Sequence, residues 1–303
     1  MQGTVDGFSY GLVTPVASFL MACLGGALGL RCTTRSLRHH DTFKAGWLLL
    51  GATSIGTGIW TMHFIAMMGF SVQQAPVDYD RPITFASLGV AILMVGIGIL
   101  IVGYRGATAL TLVTGGTITG LGIATMHYLG MAGMRLHGRI EYDTATVALS
   151  VVIAVVAATT ALWAAVSVHG FLASLGASLV MGVAVSGMHY TAMAAVSVHL
   201  NGAAAPATAT APAASLLLPM LIGPAVFLIL AAVVVMFDPL LVMGDPEWRR
   251  TPVRAVHRPG VPAPRHVPTH YGPTHYGVPA GRPARRITRR TAAVHGVHRS
   301  QDW

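Results

Sequence analysis

Three histidines stand at the centre of three copies of one short motif. The first copy lies in Trp60-Thr-Met-His-Phe-Ile-Ala-Met-Met-Gly69, the second in Thr125-Met-His-Tyr-Leu-Gly-Met131 and the third in Gly187-Met-His-Tyr-Thr-Ala-Met193. Each reads Met-His-aromatic-x-small-Met, and the histidines are 64 and 62 residues apart. On a helix, residues four apart share a face, so His63 stacks with Met67, His127 with Met131 and His189 with Met193. Met62, Met126 and Met188 are turned about 100° away. Imidazole and thioether together form a soft to borderline ligand set, suited to copper, Cu(I) above all, and ill suited to magnesium or calcium. The same residues admit a plainer account. Methionine fills gaps in apolar cores, a buried imidazole can bond a backbone carbonyl, and a repeat can preserve a packing solution as readily as a site.

The elements that must carry these residues are membrane-spanning helices. Of 303 residues, 53% are hydrophobic and only 10% charged, against roughly 25% charged in soluble domains. Seven stretches are long and apolar enough to cross about 30 Å of hydrocarbon: approximately 8–30, 47–70, 83–104, 107–134, 144–166, 170–195 and 215–237. The first is no cleaved signal peptide, because its basic cluster follows at Arg31 and Asp6 precedes it. An ionisable ring at membrane depth is costly and is by default a candidate functional group. The spans hold no aspartate or glutamate, which leaves proton-relay and carboxylate–metal chemistry nothing to build with. Cys23 and Cys32 behave as small apolar residues.

Charge sets an orientation. The basic excess falls on the first connection (Arg31, Arg35, Arg38, Lys44), on the third (Arg105) and on the tail, where eleven of the nineteen basic residues lie. The amino terminus is therefore expected outside and the carboxyl terminus in the cytoplasm of a multi-pass inner or plasma-membrane protein, although Arg135 and Arg139 in the fourth connection run against the trend. The tail arginines suit the anionic lipid of the bilayer rather than nucleic acid. Spans two, four and six then run outward, with each motif at one depth in the outer leaflet, roughly 10 Å below its boundary. Asp78, Asp80, Glu141 and Asp143 at the outer mouth would concentrate cations.

The repeat exceeds the motif. Gly56, Gly120 and Gly182 each precede a histidine by seven residues and mark places where another helix approaches closely. Tyr79-Asp80 and Tyr142-Asp143 are each followed, seven residues after the aspartate, by Ser87 and Ser150, and Tyr10-Gly11 with Ser18 is the expected degenerate first copy. The fold class is thus all-α: a seven-transmembrane-helix bundle of three two-helix repeats (about 8–70, 79–134 and 142–195) plus a seventh helix, 215–237. A short extracytoplasmic segment, 1–7, precedes the membrane domain of 8–237. Residues 238–303, rich in Arg, Pro and His, form an expected disordered cytoplasmic tail.

These residues resemble the bacterial MHYT sensor domain. Met188-His189-Tyr190-Thr191 spells the family's name, the other copies read Met-His-Phe-Ile and Met-His-Tyr-Leu, and the likeness covers about residues 8–237. The resemblance implies a sensory membrane module whose Met, His and Tyr residues bind copper near the outer face and sense oxygen, CO or NO. Carried over, the metal ligands are Met62, His63, Met67, Met126, His127, Met131, Met188, His189 and Met193, with Tyr128 and Tyr190 secondary. Family members often carry cyclase, phosphodiesterase or kinase domains. No such domain is recognised here, so the expectation is a signalling protein that is not an enzyme and works through a cytoplasmic partner. Two alternatives use the same histidines: a haem protein with paired axial imidazoles, and a metal transporter or channel.

Overall fold

In the computed structural model the described residues are 5–7, 9–38, 44–72, 77–136, 138–168, 170–200 and 213–237, all within one compact unit, residues 1–250. The expected disordered tail 238–303, His169 and residues 201–212 of the sixth connection lie outside them.

Seven helices account for the described chain: α1 (Val13–Arg38), α2 (Lys44–Met68), α3 (Arg81–Arg105), α4 (Ala109–Ala132), α5 (Thr144–Ser167), α6 (Phe171–Ala194) and α7 (Ala213–Met236). All seven are long and apolar enough to cross a membrane. Three of the starts are written locally. Asp80 accepts a hydrogen bond from Ile83 N–H at 3.2 Å to cap α3, and Asp143 accepts from Thr146 N–H at 2.8 Å to cap α5. Thr108 and Thr111 form a reciprocal capping box on α4. These bonds satisfy amide donors that a helix start leaves without partners. The first helix is displaced from the expected 8–30: it starts at Val13 and continues through Arg38. Arg31 and Arg35 thus ride on its last turns, where arginine suits the helix dipole, and Arg35 lies over the Trp47 ring.

The first six helices pack as a closed ring in chain order, with α6 returning to α1, and α7 lies against α2 and α1. Each repeat is tied at the motif end by a two-stranded antiparallel ladder that sequence periodicity did not reveal. Strand β1 (Val5–Asp6) pairs with β2 (Ser71–Val72), β3 (Asp78–Tyr79) with β4 (Met134–Arg135), and β5 (Gly138–Tyr142) with β6 (Val196–Leu200). In each case the strand ahead of the odd helix meets the strand behind the even helix of the same repeat. The arrangement is a pseudo-threefold barrel of helices, with α2, α4 and α6 carrying the motifs.

The glycines seven residues before each histidine lie at equivalent crossings. A Cβ on Gly56 would stand 2.9 Å from the backbone of Ile92 in α3, and one on Gly120 would stand 2.5 Å from Val155 Cα in α5. At Gly182 the nearest atom is Cys23 Sγ of α1. Ile92, Val155 and Cys23 each lie five residues after Ser87, Ser150 and Ser18. Cys23 thus fills a site given to an aliphatic side chain in the other repeats, and both cysteines are buried and outside any disulfide.

Candidate metal centre

His63, His127 and His189 each stand five residues before the end of their helix, or about 7.5 Å at the rise of an α-helix. Equal depth on three helices facing one axis brings the rings together. Their exposures are 1%, 1% and 2%. His63 Nδ1 lies 3.1 Å from His189 Nδ1 and 3.1 Å from His127 Nδ1, and one nitrogen from each ring falls within 4.8 Å of the others. The rings meet edge to face, with centroids 4.7 to 5.1 Å apart.

Three nitrogens so close cannot all present lone pairs inward without something positive between them. A neutral imidazole has one N–H and one acceptor nitrogen, so either a proton lies in each short contact or a cation draws the lone pairs together. Nε2 of His63 and Nε2 of His127 are buried without a hydrogen-bond partner, and a buried unmatched polar atom costs about 1–3 kcal/mol. Metal–imidazole bonds of 2.0–2.1 Å at tetrahedral angles separate the ligating nitrogens by roughly 3.3 Å. The two 3.1 Å contacts of His63 are close to that, so the residues fit a small transition-metal ion.

The remaining motif residues surround the trio. Met62, Met126 and Met188 are buried beside it, as are Met67 and Met131 one turn beyond their histidines, while Met193 is half-buried. Phe64, Tyr128 and Tyr190 lie edge-on to their histidines at 4.6, 5.0 and 5.0 Å between centroids. The tyrosine hydroxyls have other partners. Tyr128 donates to Ser150 at 2.7 Å, and Ser150 donates onward to the Val147 carbonyl. Tyr190 is hydrogen-bonded to Ser18. Where the first motif has Phe64, Trp60 Nε1–H donates to Ser87 at 3.0 Å instead. The serine noted in each repeat thus holds the motif of the repeat before it, and Ser18 closes the circle.

One neighbour was hidden in the "small" position of the motif. Ala66, Gly130 and Ala192 each follow a histidine by three residues, and Gly130 lies against the His63 ring. On the other side of the trio, one turn earlier in each helix, Ile59, Ile123 and Val185 close the axis, followed by Ile55, Thr119 and Met181. Together they line an apolar cavity of about 30 Å³.

The carboxylates lie at the ladders. Asp80 caps α3 and is ion-paired with Arg135, and that hydrogen bond holds its carboxyl below the usual range. Asp143 is held low by the Thr146 hydroxyl and amide. Glu141 faces His199 at 3.7 Å.

Comparison with known proteins agrees with this architecture. The family described as "Bacterial signalling protein N terminal repeat", MHYT, matches residues 56–115 and 120–178. Each matched segment begins at one of the crossing glycines, Gly56 or Gly120. The bifunctional diguanylate cyclase/cyclic di-GMP phosphodiesterase MucR of Pseudomonas aeruginosa is 37% identical over 198 residues, 64% of this chain and 29% of that protein. The cyclic di-GMP phosphodiesterase NbdA of the same organism is 36% identical over 209 residues, 64% of this chain and 26% of that protein. The signaling protein YkoW of Bacillus subtilis is 30% identical over 190 residues, 60% of this chain and 23% of that protein. The chain thus spans less than a third of each of these relatives. No solved structure matches it. Seven membrane-length helices and the motif-centred repeats agree with these likenesses, and the chain carries MHYT repeats over residues 56–178.

Proposed function

We propose that this protein is a membrane sensor whose receiver is a copper ion held by His63, His127 and His189, with oxygen, CO, NO or redox state as the input. The observation that carries the reading is the convergence of three buried Nδ1 atoms at 3.1 Å across two contacts. Soft thioethers nearby and the lack of a carboxylate at the centre favour copper over hard cations. Bound copper would supply a centre that changes charge or accepts a small ligand. The chain's own part is to hold three rings rigidly and to register their displacement. Each motif is bonded to the serine of the next repeat through Trp60–Ser87, Tyr128–Ser150 and Tyr190–Ser18. Movement of one imidazole therefore bears on an odd helix as well as its own. The motif end faces outward in this reading and the arginine-rich end faces the cytoplasm, where a partner takes up the signal.

The alternatives draw less support. Rings in contact leave no slot for a porphyrin between them. A channel would have to pass the Ile59/Ile123/Val185 layer.

The test is metal analysis of the detergent-purified protein after Cu(I) loading, with His63→Ala, His127→Ala, His189→Ala and the triple variant alongside. About one copper per chain in wild type and none in the triple variant is expected. A wild-type protein that stays metal-free would end the copper assignment, and a Soret band would replace it with haem.

A further inference from the structure

The seam between the two helices of a repeat is closed differently in each repeat. Gly25 of α1, Met94 of α3 and Ala157 of α5 stand at one position, seven residues after Ser18, Ser87 and Ser150. Their counterparts across the seam, five residues before each histidine, are Gly58, Gly122 and Ala184. In the first repeat the glycines bring two backbones together, and a Cβ on Gly25 would stand 2.7 Å from Gly58 Cα. In the second the Met94 side chain lies on Gly122. The third has two alanines, too large for the first arrangement and too small for the second. One turn further, Gly29 and Gly98 press against Ile55 and Thr119, whereas α5 has Ala161 there. Methyls in place of close-approach glycines hold helices apart, and α5 packs on α6 less closely than α1 on α2 or α3 on α4.

The consequence is visible on both sides of this seam. Toward the axis, Ala157, Ala161 and Met181 line the cavity of about 30 Å³ one turn below the histidines. Toward the lipid side, the same three residues form the floor of a groove walled by Val156, Val180 and Ala184. Two of the three partition side chains are single methyls. The third, Met181, is unbranched, with three rotatable bonds, and its methyl lies against Gly26 of α1. It is the movable part of the partition. The cavity walls carry hydroxyls only on Thr33 and Thr119, and almost no polar surface faces the space. An enclosed water needs two to four polar partners, so a cavity of this kind stays dry and takes up small apolar molecules such as xenon.

We propose that this axial cavity is a docking site for a small neutral apolar gas, which enters from the bilayer between α5 and α6 past Ala157, Ala161 and Met181. Apolar molecules favour hydrocarbon over water, so an entrance on the lipid side meets the larger supply. The onward step leads through the Ile59, Ile123 and Val185 layer, where the third repeat again has the smallest side chain. That layer stops an ion, which cannot shed its water there, but not a neutral diatomic molecule. The site and its entrance rest on packing alone; arrival of the gas at a metal rests on the copper reading.

Xenon is the probe for the site. Metal-free protein in nanodiscs, with empty discs as the blank, should show a bound-xenon resonance by NMR in exchange with dissolved gas. Ala158→Leu, which fills the cavity with a side chain nearer in size to its counterpart Val95, should abolish that resonance while the unfolding transition remains cooperative. Ala157→Met, which supplies the missing plug, should slow xenon exchange at least tenfold at unchanged occupancy. Met94→Leu, at the corresponding place in the α3/α4 seam, should exchange at the wild-type rate. In Cu(I)-loaded protein, CO recombination after photolysis, followed at its C–O stretch, should slow by the same factor in Ala157→Met. No bound resonance in wild type, or one that survives Ala158→Leu, overturns the site. Equal xenon exchange in Ala157→Met overturns the entrance, and unslowed CO recombination overturns the onward step. Xenon bound in a protein that takes up no copper leaves the site standing and removes the copper reading.

Discussion

Gly130 lies against the imidazole of His63: a Cβ at that position would stand 2.7 Å from Nε2 and 3.2 Å from Phe64 Cζ. The α4 backbone therefore fixes how far the His63 ring can tilt from the axis. Gly130→Ala must push the ring toward its two partners or part α2 from α4. Overpacking of this kind costs about 1–3 kcal/mol. The expected outcome is a lower thermal midpoint in detergent together with weaker copper retention, whereas Ala192→Gly should leave retention near wild type.

The three crossing glycines are equivalent in sequence but unequal in what they touch. At Gly120 and Gly56 an added methyl meets backbone atoms of Val155 and Ile92; at Gly182 it meets the side chains of Cys23 and Phe19. Backbone cannot yield without moving a helix, whereas side chains have other rotamers. Gly120→Ala and Gly56→Ala should destabilise by about 1–3 kcal/mol and Gly182→Ala by less, with Cys23→Ala relieving most of the Gly182→Ala cost. Unfolding of the five variants in mixed micelles checks the order.

Much of this was legible because a repeat encodes geometry twice. Near-equal spacing of His63, His127 and His189 on membrane-length helices of alternating direction forces one depth, and the preceding glycines indicate which face turns inward. The Tyr-Asp-x6-Ser element was visible too, but its role was not, since Ser150 bonds the motif of another repeat 22 residues away. The ladders were hidden for a physical reason. Two-residue strands such as Asp78–Tyr79 carry no period, and their pairing is set by helices placed elsewhere. The same blindness misplaced Tyr10, which is exposed and lies beyond the first ladder, because insertion of chain ahead of α1 is not apparent until the register is seen.

Acid should loosen the motif end before the bundle. Asp80 is held low by the Arg135 hydrogen bond and by capping Ile83 N–H, and Asp143 by Thr146. A carboxyl whose folded pKa is depressed contributes stability that is present above its unfolded value near 4 and is lost as pH falls through the folded value. The thermal midpoint should stay level from pH 8 to pH 5 and drop below pH 4. Asp80→Asn should lower the midpoint at pH 7 and flatten the acid limb. An unaltered limb in the Asp80→Asn/Asp143→Asn double variant would show that these caps are not its source.

Ring closure between repeats is separable from metal binding. Tyr128 donates to Ser150, and Ser150 retains its own bond to the Val147 carbonyl, so Tyr128→Phe removes one bond and leaves the serine satisfied as a donor. The first motif already has phenylalanine at this place, with Trp60 supplying the bond to Ser87. The ring position therefore tolerates the change. Inter-helical hydrogen bonds within membranes contribute about 0.6 kcal/mol on average, so Tyr128→Phe and Ser150→Ala should each cost about that much. In the Tyr128→Phe background Ser150→Ala should cost almost nothing further, which a double-mutant cycle in mixed micelles measures. If the serines carry displacement of the rings to the odd helices, the double variant should still bind copper to the wild-type level. Copper would then no longer protect the α5 amides near Ser150 from hydrogen exchange. Equal protection in the two proteins would mean that the signal leaves the trio by another route.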